Sequence, residues 1–368
     1  MQFKRFFYRR FIKPVVTAHD TPHAVALGMA VGMFVALTPT IGIQMIIAAF
    51  ICTLLGANRL VAVAMVWLSN PLTAAPIYWF DHYLGIQILG GADVEMWVIS
   101  EKISQVGLTD WWAITKVLTG DIFWPMMIGG AVFGLALAVP LYPVALWALN
   151  ARRRRISGKV HEKLNERRLV LASASPRRQA MLREWGYEFD VMEPNVRETA
   201  ARRLNPTKTA RHNARLKAND VARRVKDAVV VAADTITVLE KNLIGKPGDE
   251  ADAKRMLREL SGTRHSVITA MCAVDTRTGK TIVAHDEAFV YMREMTDAEI
   301  SEYVRSGEGM GKSGAYAARA EGDRFIRKIE GNLDTVVGFP RFVFNTMMYR
   351  LLARPRIRRK ATRRRVGP

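Results

Sequence analysis

Cysteine is scarce in this 368-residue chain: Cys52 and Cys272 fall in halves of different character, so no disulfide framework can be built from them. That fits a reducing compartment for the charged half. Acid is in short supply as well, with 34 Asp and Glu against 54 Lys and Arg and a net charge of +20. Inside the apolar blocks Ala24–Leu55 and Leu60–Phe80 there is no acidic or basic residue at all. The usual groups of a proton or ion relay are therefore missing from them. Paired histidine spacing is also lacking, so His212 and His265 read as structural side chains rather than metal ligands.

At about 150 residues per domain the length predicts two domains, and the composition divides accordingly. Residues 24–150 are dominated by Ala, Val, Ile, Leu, Met and Trp, whereas 151–368 mixes charged and apolar residues as a soluble domain does. Much of the positive charge sits in three runs: "FKRFFYRRFIK" at the start, "RRRR" at 152–155, and "ARPRIRRKATRRR" at 353–365. Two of these flank apolar segments, which suits anchoring beside anionic lipid better than nucleic-acid binding. The apolar stretch after the first run continues into further apolar segments, unlike a cleavable signal.

The blocks Leu60–Phe80 and Ile122–Leu149 are each long enough to cross roughly 30 Å of hydrocarbon as a helix. Block Ala24–Leu55 is interrupted by "LTPTIG", where Pro39 removes a backbone donor and Gly42 loosens the chain, so two half-length helices are expected. Arginine-rich runs at both ends place both on the cytoplasmic side and require an even number of crossings. A re-entrant first block with two spans satisfies this, and so do four short crossings. The spacings Gly28–Gly32 and Gly130–Gly134 would allow close helix packing. Trp97, Trp111, Trp112 and Trp124 cluster as interface aromatics do. Asn70, in "SNPLTAAPIYW", reads as internally hydrogen-bonded at a kink rather than as the lining of a path.

In the charged half, "RLVLAS" has a buried-strand pattern and "PRRQAMLREWG" has helical spacing. Ser175 suits the N-cap, Pro176 the first helical position, and Gly186 the position past the end. Arg177 and Arg178 then lie in the first turn, where cations oppose the helix macrodipole. A bound polyphosphate would remove the conflict, held by exposed N–H groups and two guanidinium forks. The apolar strand Val229–Ala233 delivers Asp234 to its C-terminal end, Lys217 sits on a helix, Glu198 in a loop, and Lys246 after a turn. Two carboxylates, two lysines and two arginines are what phosphoryl chemistry with a divalent metal needs. "TDAE" at 296–299 reads as a capping box, and "AVDTRTGKTIV" as a hairpin turning near Thr278 and Gly279.

The motifs "SASPRR", "VRET", "ARLKA", "AADT", "GKPGDEADAKRML", "LSGTRHSVITA", "GKSGAY", "FIRKIEG" and "VVGFP" occur in this order between about residues 168 and 352. They resemble the Maf family of nucleoside triphosphate pyrophosphatases. The resemblance implies a mixed α/β fold of two lobes, inosine-triphosphatase-like, and cleavage of a nucleoside triphosphate to monophosphate and pyrophosphate with Mg²⁺ or Mn²⁺. By motif, Ser175, Arg178, Lys217 and Lys246 would grip the triphosphate, with Lys312 beside them. Asp234 would accept the proton from water, and Glu198 would assist; both would hold the metal. Arg177 and Thr235 fall where the dTTP/UTP branch sets base preference, and the 7-methyl-GTP branch is less similar. In "YAARA" Arg319 stands where the pyrimidine branch has Gln, and an arginine cannot accept a hydrogen bond as Gln does.

Residues 1–155, through "ALGMAVGMFVALTPTIGIQ" and "NRLVAVAMVWLSNPLTAAPIYW", are similar to an uncharacterised bacterial membrane family, domain of unknown function 2062. The expectation is therefore an α-helical membrane domain over 1–155, a basic linker over 156–167, a Maf-like α/β domain over 168–353 and a basic tail over 354–368. The enzyme would be tethered to a bacterial inner membrane, its soluble domain in the cytoplasm and its first half in the lipid bilayer. A nucleoside triphosphate is the expected partner, nucleic acid is not, and a homodimer is left open. The competing reading is a nucleotide-binding regulatory module in which Arg319 marks lost catalysis.

Overall fold

The computed structural model describes residues 20–40, 42–70, 72–90, 122–198, 205–240, 242–318 and 324–353. The chain divides into two compact units, Met1–Arg153 and Arg154–Pro368. Trp97, Trp111, Trp112, Arg319, the first basic run and the tail from 354 lie outside the described residues.

In the first unit, α1 (Pro22–Ala36) starts on a Thr21 side-chain cap, and α2 (Gln44–Leu55) follows the break at Pro39 and Gly42. The block Leu60–Phe80, expected as one spanning helix, is instead divided into α3 (Arg59–Val66) and α4 (Ala74–Leu89). The local hydrogen bonds explain the division. The Asn70 side chain accepts from the Leu72 amide at 3.0 Å, and the Thr73 hydroxyl accepts from the Asn70 amide at 3.0 Å. Such Asx and Thr turns offer the backbone an alternative to helix. Neither α3 nor α4, at 8 and 16 residues, reaches the roughly 30 Å that hydrocarbon requires at 1.5 Å per residue. Among the described residues one helix is long and apolar enough to cross a membrane: α5 (Trp124–Asn165).

Glycine sets the helix spacing in this unit. A Cβ on Gly28 would lie 2.5 Å from the Asn58 carbonyl oxygen, and one on Gly32 2.5 Å from that of Ala62, so α1 and α3 touch backbone to backbone. Gly85 against Pro125 and Gly129 against Asp81 are closer still, at 1.8 Å.

The second unit is built on a seven-stranded mixed sheet in the order β2–β1–β3–β5–β6–β7. The strands are β1 (Arg168–Leu171), β2 (Asp190–Val191), β3 (Ala228–Leu239), β4 (Asn242–Ile244), β5 (Arg264–Asp275), β6 (Thr281–Met292) and β7 (Ile326–Glu330), with β4 paired to the far half of β3. β1 runs parallel to both β2 and β3; the other pairings are antiparallel. The helices are α6 (Pro176–Glu184), α7 (Pro206–Arg224), α8 (Glu250–Leu260), α9 (Asp297–Arg305), α10 (Leu333–Val337) and α11 (Arg341–Leu351). The Thr296–Glu299 capping box is formed, and Gly279 turns the β5–β6 hairpin at φ +70°.

Strand alternation decides which helix each face meets. Val229, Val231 and Ala233 pack with Met181, Leu182, Phe339 and Phe344, whereas Val230 and Ala232 pack with the Ala210, Ala214, Ala218 and Val221 stripe of α7. The expected linker over 156–167 is corrected. Residues to Asn165 are helical, and Val160 and Leu164 are buried in the core of the second unit because their spacing of four puts both on one face.

Candidate active site

β3 does not end at Asp234, as the sequence pattern suggested; it continues unbroken to Leu239. What ends there is its neighbour. β1 stops at Leu171, opposite Val231, and the chain turns away through residues 172–175 into α6. One edge of β3 is thereby uncovered next to Asp234, and a cleft of about 650 Å³ opens beside it. Ser175, Arg177, Arg178, Glu198, Lys217, Asp234, Thr235, Lys246 and Lys312 all line this cleft. Arg319 lies outside the described residues.

Asp234 follows Val230 and Ala232 on the α7 side of the sheet. On α7 the residues Asn213 and Lys217 continue the spacing of Ala210, Ala214 and Ala218, so they meet it. Lys217 donates to Asp234 Oδ1 at 2.7 Å and Asn213 to Oδ2 at 3.2 Å. Both ends of the ion pair are buried, at 5% exposure for Asp234 and 8% for Lys217. The Lys217 Nζ also reaches Glu198 Oε1 at 2.8 Å, and Lys246 stands over the same carboxylate at 3.2 Å. Burial works to raise the Glu198 carboxyl, but the hydrogen bond and charge of Lys217, then of Lys246, outweigh it and hold the group below the ordinary range. The chain of alternating charge, Asp234–Lys217–Glu198–Lys246, runs from the sheet to solvent.

The opposite wall is the start of α6. Ser175 occupies the N-cap position, but its hydroxyl makes no cap hydrogen bond, and no acidic residue lies in the first turn. The first amides of the helix are thus left without a side-chain acceptor. The two arginines differ. Arg178 is held under the cleft floor, its guanidinium donating to the carbonyls of Ala233 at 2.8 Å and Gly338 at 3.0 Å and to the hydroxyls of Ser173 and Thr235. Burial lowers it, with Asp234 opposing that shift. Arg177 donates no hydrogen bond to a described residue and is half-buried on the cleft side. Burial lowers Arg177 too, against the attraction of Tyr303, Glu308 and Tyr316. Lys312 donates to the Glu308 carbonyl, and burial, followed by the nearby Arg177, pushes its ammonium below the usual lysine range.

Thr235, one residue past Asp234, faces the other way. Its hydroxyl meets Arg178 at 3.2 Å and the cross-strand Thr269 at 2.9 Å. Gly338, at φ +105°, completes that floor; a Cβ there would lie 2.9 Å from the Thr235 hydroxyl. Ser313 ties the cleft rim together, accepting from the Thr237 amide at 2.9 Å and donating to the Ile244 carbonyl at 2.7 Å.

Asn213, Ser173 and Gly338 escaped the sequence reading. For Asn213 a signal existed, since it stands four residues before Lys217 on the same helix face. Gly338 stood within the motif "VVGFP", but its role was not legible there, because it depends on a contact 160 residues away with Arg178. His265 is buried, with its Nε2 2.8 Å from the Tyr316 hydroxyl, and burial lowers its pKa to about 4. His212 is exposed on α7.

Among the described residues no three His, Cys, Asp or Glu side chains could together enclose a metal. The donor set here is two carboxylates, Asp234 and Glu198, joined through one ammonium and open to the cleft. That suits a hard divalent cation bound by one or two carboxylates and completed by substrate phosphates and water.

Residues 168–351 match the family model described as "Maf-like protein", and residues 4–157 match "Uncharacterized protein conserved in bacteria (DUF2062)". The second half is similar to curated proteins named dTTP/UTP pyrophosphatase. That of Caldicellulosiruptor saccharolyticus is 39% identical over 189 residues, covering 50% of this chain and 95% of the relative. Those of Alkaliphilus metalliredigens and Aquifex aeolicus are 42% and 44% identical, each over 47% of this chain and 90% of the relative.

Proposed function

This chain belongs to the Maf family through residues 168–351, and we propose that its second unit hydrolyses nucleoside triphosphates to a monophosphate and pyrophosphate. The observation that carries the reading is the shared cleft: a carboxylate fixed by Lys217 and Asn213 on one wall, and an uncapped, doubly cationic helix start on the other. The amides at the start of α6 and the Arg177 guanidinium receive the phosphate chain. Lys217 and Lys246 neutralise it from the Glu198 side. Arg178 spends its donors on Ala233, Gly338, Ser173 and Thr235, so it shapes the floor and contributes its charge rather than a full fork. Asp234 takes a proton from water as that water attacks the phosphorus and pyrophosphate leaves. A Mg²⁺ or Mn²⁺ ion held by Asp234 and Glu198 would supply further neutralisation of the phosphate oxygens.

The base-side reading rests on the names of the relatives: dTTP and UTP are the preferred substrates. The test is pyrophosphate release by the full chain with a panel of nucleoside triphosphates and Mg²⁺. Turnover that is greatest with dTTP and UTP and lost in Asp234→Asn supports the reading. Binding without release in both proteins would replace it with the regulatory module.

We infer further that the first unit holds the enzyme at a membrane. In support, α5 is long and apolar, and large side chains of this unit stand exposed, among them Ile46, Leu54, Leu60, Leu72 and Trp147. Flotation of the full chain with liposomes tests it; recovery of the protein in the soluble fraction would sink it.

A further inference from the structure

The sequence reading ended the second apolar block at Phe80, and so left out its neighbour. Helix α4 continues to Leu89, and Asp81 on it is completely buried, at 0% exposure. Neither of its carboxylate oxygens has a hydrogen-bond partner among the described residues. Among the described residues, the helices that border it carry little positive charge. From Trp124 to Ala151 the helix α5 carries no charged residue. Pro22–Ala36 carries only His23, whose Nδ1 lies 2.7 Å from the Tyr142 hydroxyl. On α4 itself the adjacent residue is His82, and neither Asp81 oxygen is hydrogen-bonded to it.

Asp81 and a backbone carbonyl border the same small space. The space over Gly130, where a side chain would stand, lies 2.6 Å from the Leu37 carbonyl oxygen and 3.2 Å from Asp81 Oδ2. Leu37 caps the C-terminus of α1, the negative end of that helix dipole. A carboxylate and a helix C-terminus thus border one glycine in an apolar interior, and no cation among the described residues bonds the carboxylate. An uncompensated charge in that position is too costly to persist. The glycine contacts at Gly85 and Gly129 leave the helices in backbone contact, which disfavours a multiply coordinated metal ion and suits the smallest cation.

The surroundings are organised for function rather than for packing alone. Both helix breaks of this unit are joined by polar side chains. Gln44, at the start of α2, donates to the Tyr78 hydroxyl at 2.8 Å and accepts from Ser69 at 3.0 Å. Tyr78 stands one turn before Asp81 on α4. Interrupted helices joined by polar side chains, with one buried acid on the same helix as Tyr78, resemble the arrangement that membrane carriers use for ion sites.

We propose that Asp81 is a proton-binding site of the first unit. The carboxylate takes up one proton to become a neutral carboxyl, the form its apolar surroundings favour. It returns the proton to hydroxide in alkaline solution, leaving the carboxylate and water.

The test is infrared difference spectroscopy on the full chain in lipid nanodiscs, with aspartate carrying ¹³C at the carboxyl. A protonated-carboxyl C=O band at neutral pH that shifts with the label, disappears in Asp81→Asn and fades in alkaline buffer is the expected result. Identical bands in wild type and Asp81→Asn would overturn the proposal. So would loss of the band on adding sodium or lithium at constant pH, which would make the ligand a metal cation. Should Asp81→Asn fail to fold, Gly130→Ala keeps the acid and puts a methyl 3.2 Å from Asp81 Oδ2. A displaced band in that variant supports the site, and an unmoved one overturns it.

Discussion

The two units treat buried charge in opposite ways. In the second, Asp234 is bonded to Lys217 and Asn213, Asp275 accepts from Arg167 at 2.6 Å and Thr278 at 2.9 Å, and Asp286 accepts from Thr335 at 2.5 Å. In the first, Asp81 is as deeply buried and has no partner among the described residues. The cores differ in parallel. Large side chains interdigitate between sheet and helix in the second unit, whereas in the first glycines bring helix backbones together. A paired acid can be held still in one ionised form, which suits a base aimed at water. An unpaired one is stable only while neutral, which suits a group that binds and releases a cation. The difference lies in what surrounds a carboxylate, not in the carboxylate.

The contrast can be broken most severely at Asp234. Asp234→Asn keeps the shape and removes the proton acceptor, and pyrophosphate release should fall by roughly 10²–10⁴-fold. An unchanged rate would assign the base elsewhere. Next in size is Lys217→Met, which leaves Asp234 buried beside an apolar chain. Denaturant unfolding of the second unit should then lose about 3–5 kcal/mol. If the loss were negligible, the pairing that distinguishes this unit from the first would have no energetic meaning. Gly129→Ala probes the other side, because its Cβ would lie 1.8 Å from the Asp81 carbonyl oxygen. Overpacking of this kind costs about 1–3 kcal/mol, to be read from the thermal unfolding of the first unit in detergent. An alanine accepted at no cost would mean that the helices are not in backbone contact.

The smallest effect sharpens the comparison through pH. Glu198 is held below its ordinary range, with Lys246 among the causes. A carboxylate depressed in this way contributes stability above its unfolded pKa and loses it as pH falls through the folded value. Lys246→Ala lifts part of that depression, so the acid limb of the activity profile should move to higher pH. His265 adds an independent acid sensitivity. It is buried and neutral with a pKa of about 4 against 6.5 for the free side chain, so the unfolded chain binds the extra proton between those values. Stability should therefore fall as pH drops from 6.5 towards 4. His265→Phe, unfolded across that window, should flatten the slope.

Much of this was legible along the chain. Apolar strand patterns, the Thr296–Glu299 box, the hairpin at Gly279 and the helix beginning at Pro176 depend on neighbours within a few residues, and local chemistry was enough to place them. The kink at Asn70 and its internal hydrogen bonding were legible, but not that the kink divides the block into two helices, because an apolar composition outweighed two side-chain turns. Asp81 was missed for a related reason: one acid at a block boundary looks like the start of a polar segment until the helix is seen to continue.

By itself the sequence determined the division into an apolar and a charged half, the cationic start of α6, and the residue types that phosphoryl chemistry needs. Covalent spacing and side-chain chemistry are enough for those. Only the tertiary structure decided that Arg178 faces the floor while Arg177 faces the cleft, that Lys217 joins Asp234 to Glu198, and that Leu37 and Asp81 border the same glycine, Gly130. Those relations join positions far apart in the chain, and their distances exist only once strand register and helix packing have been set.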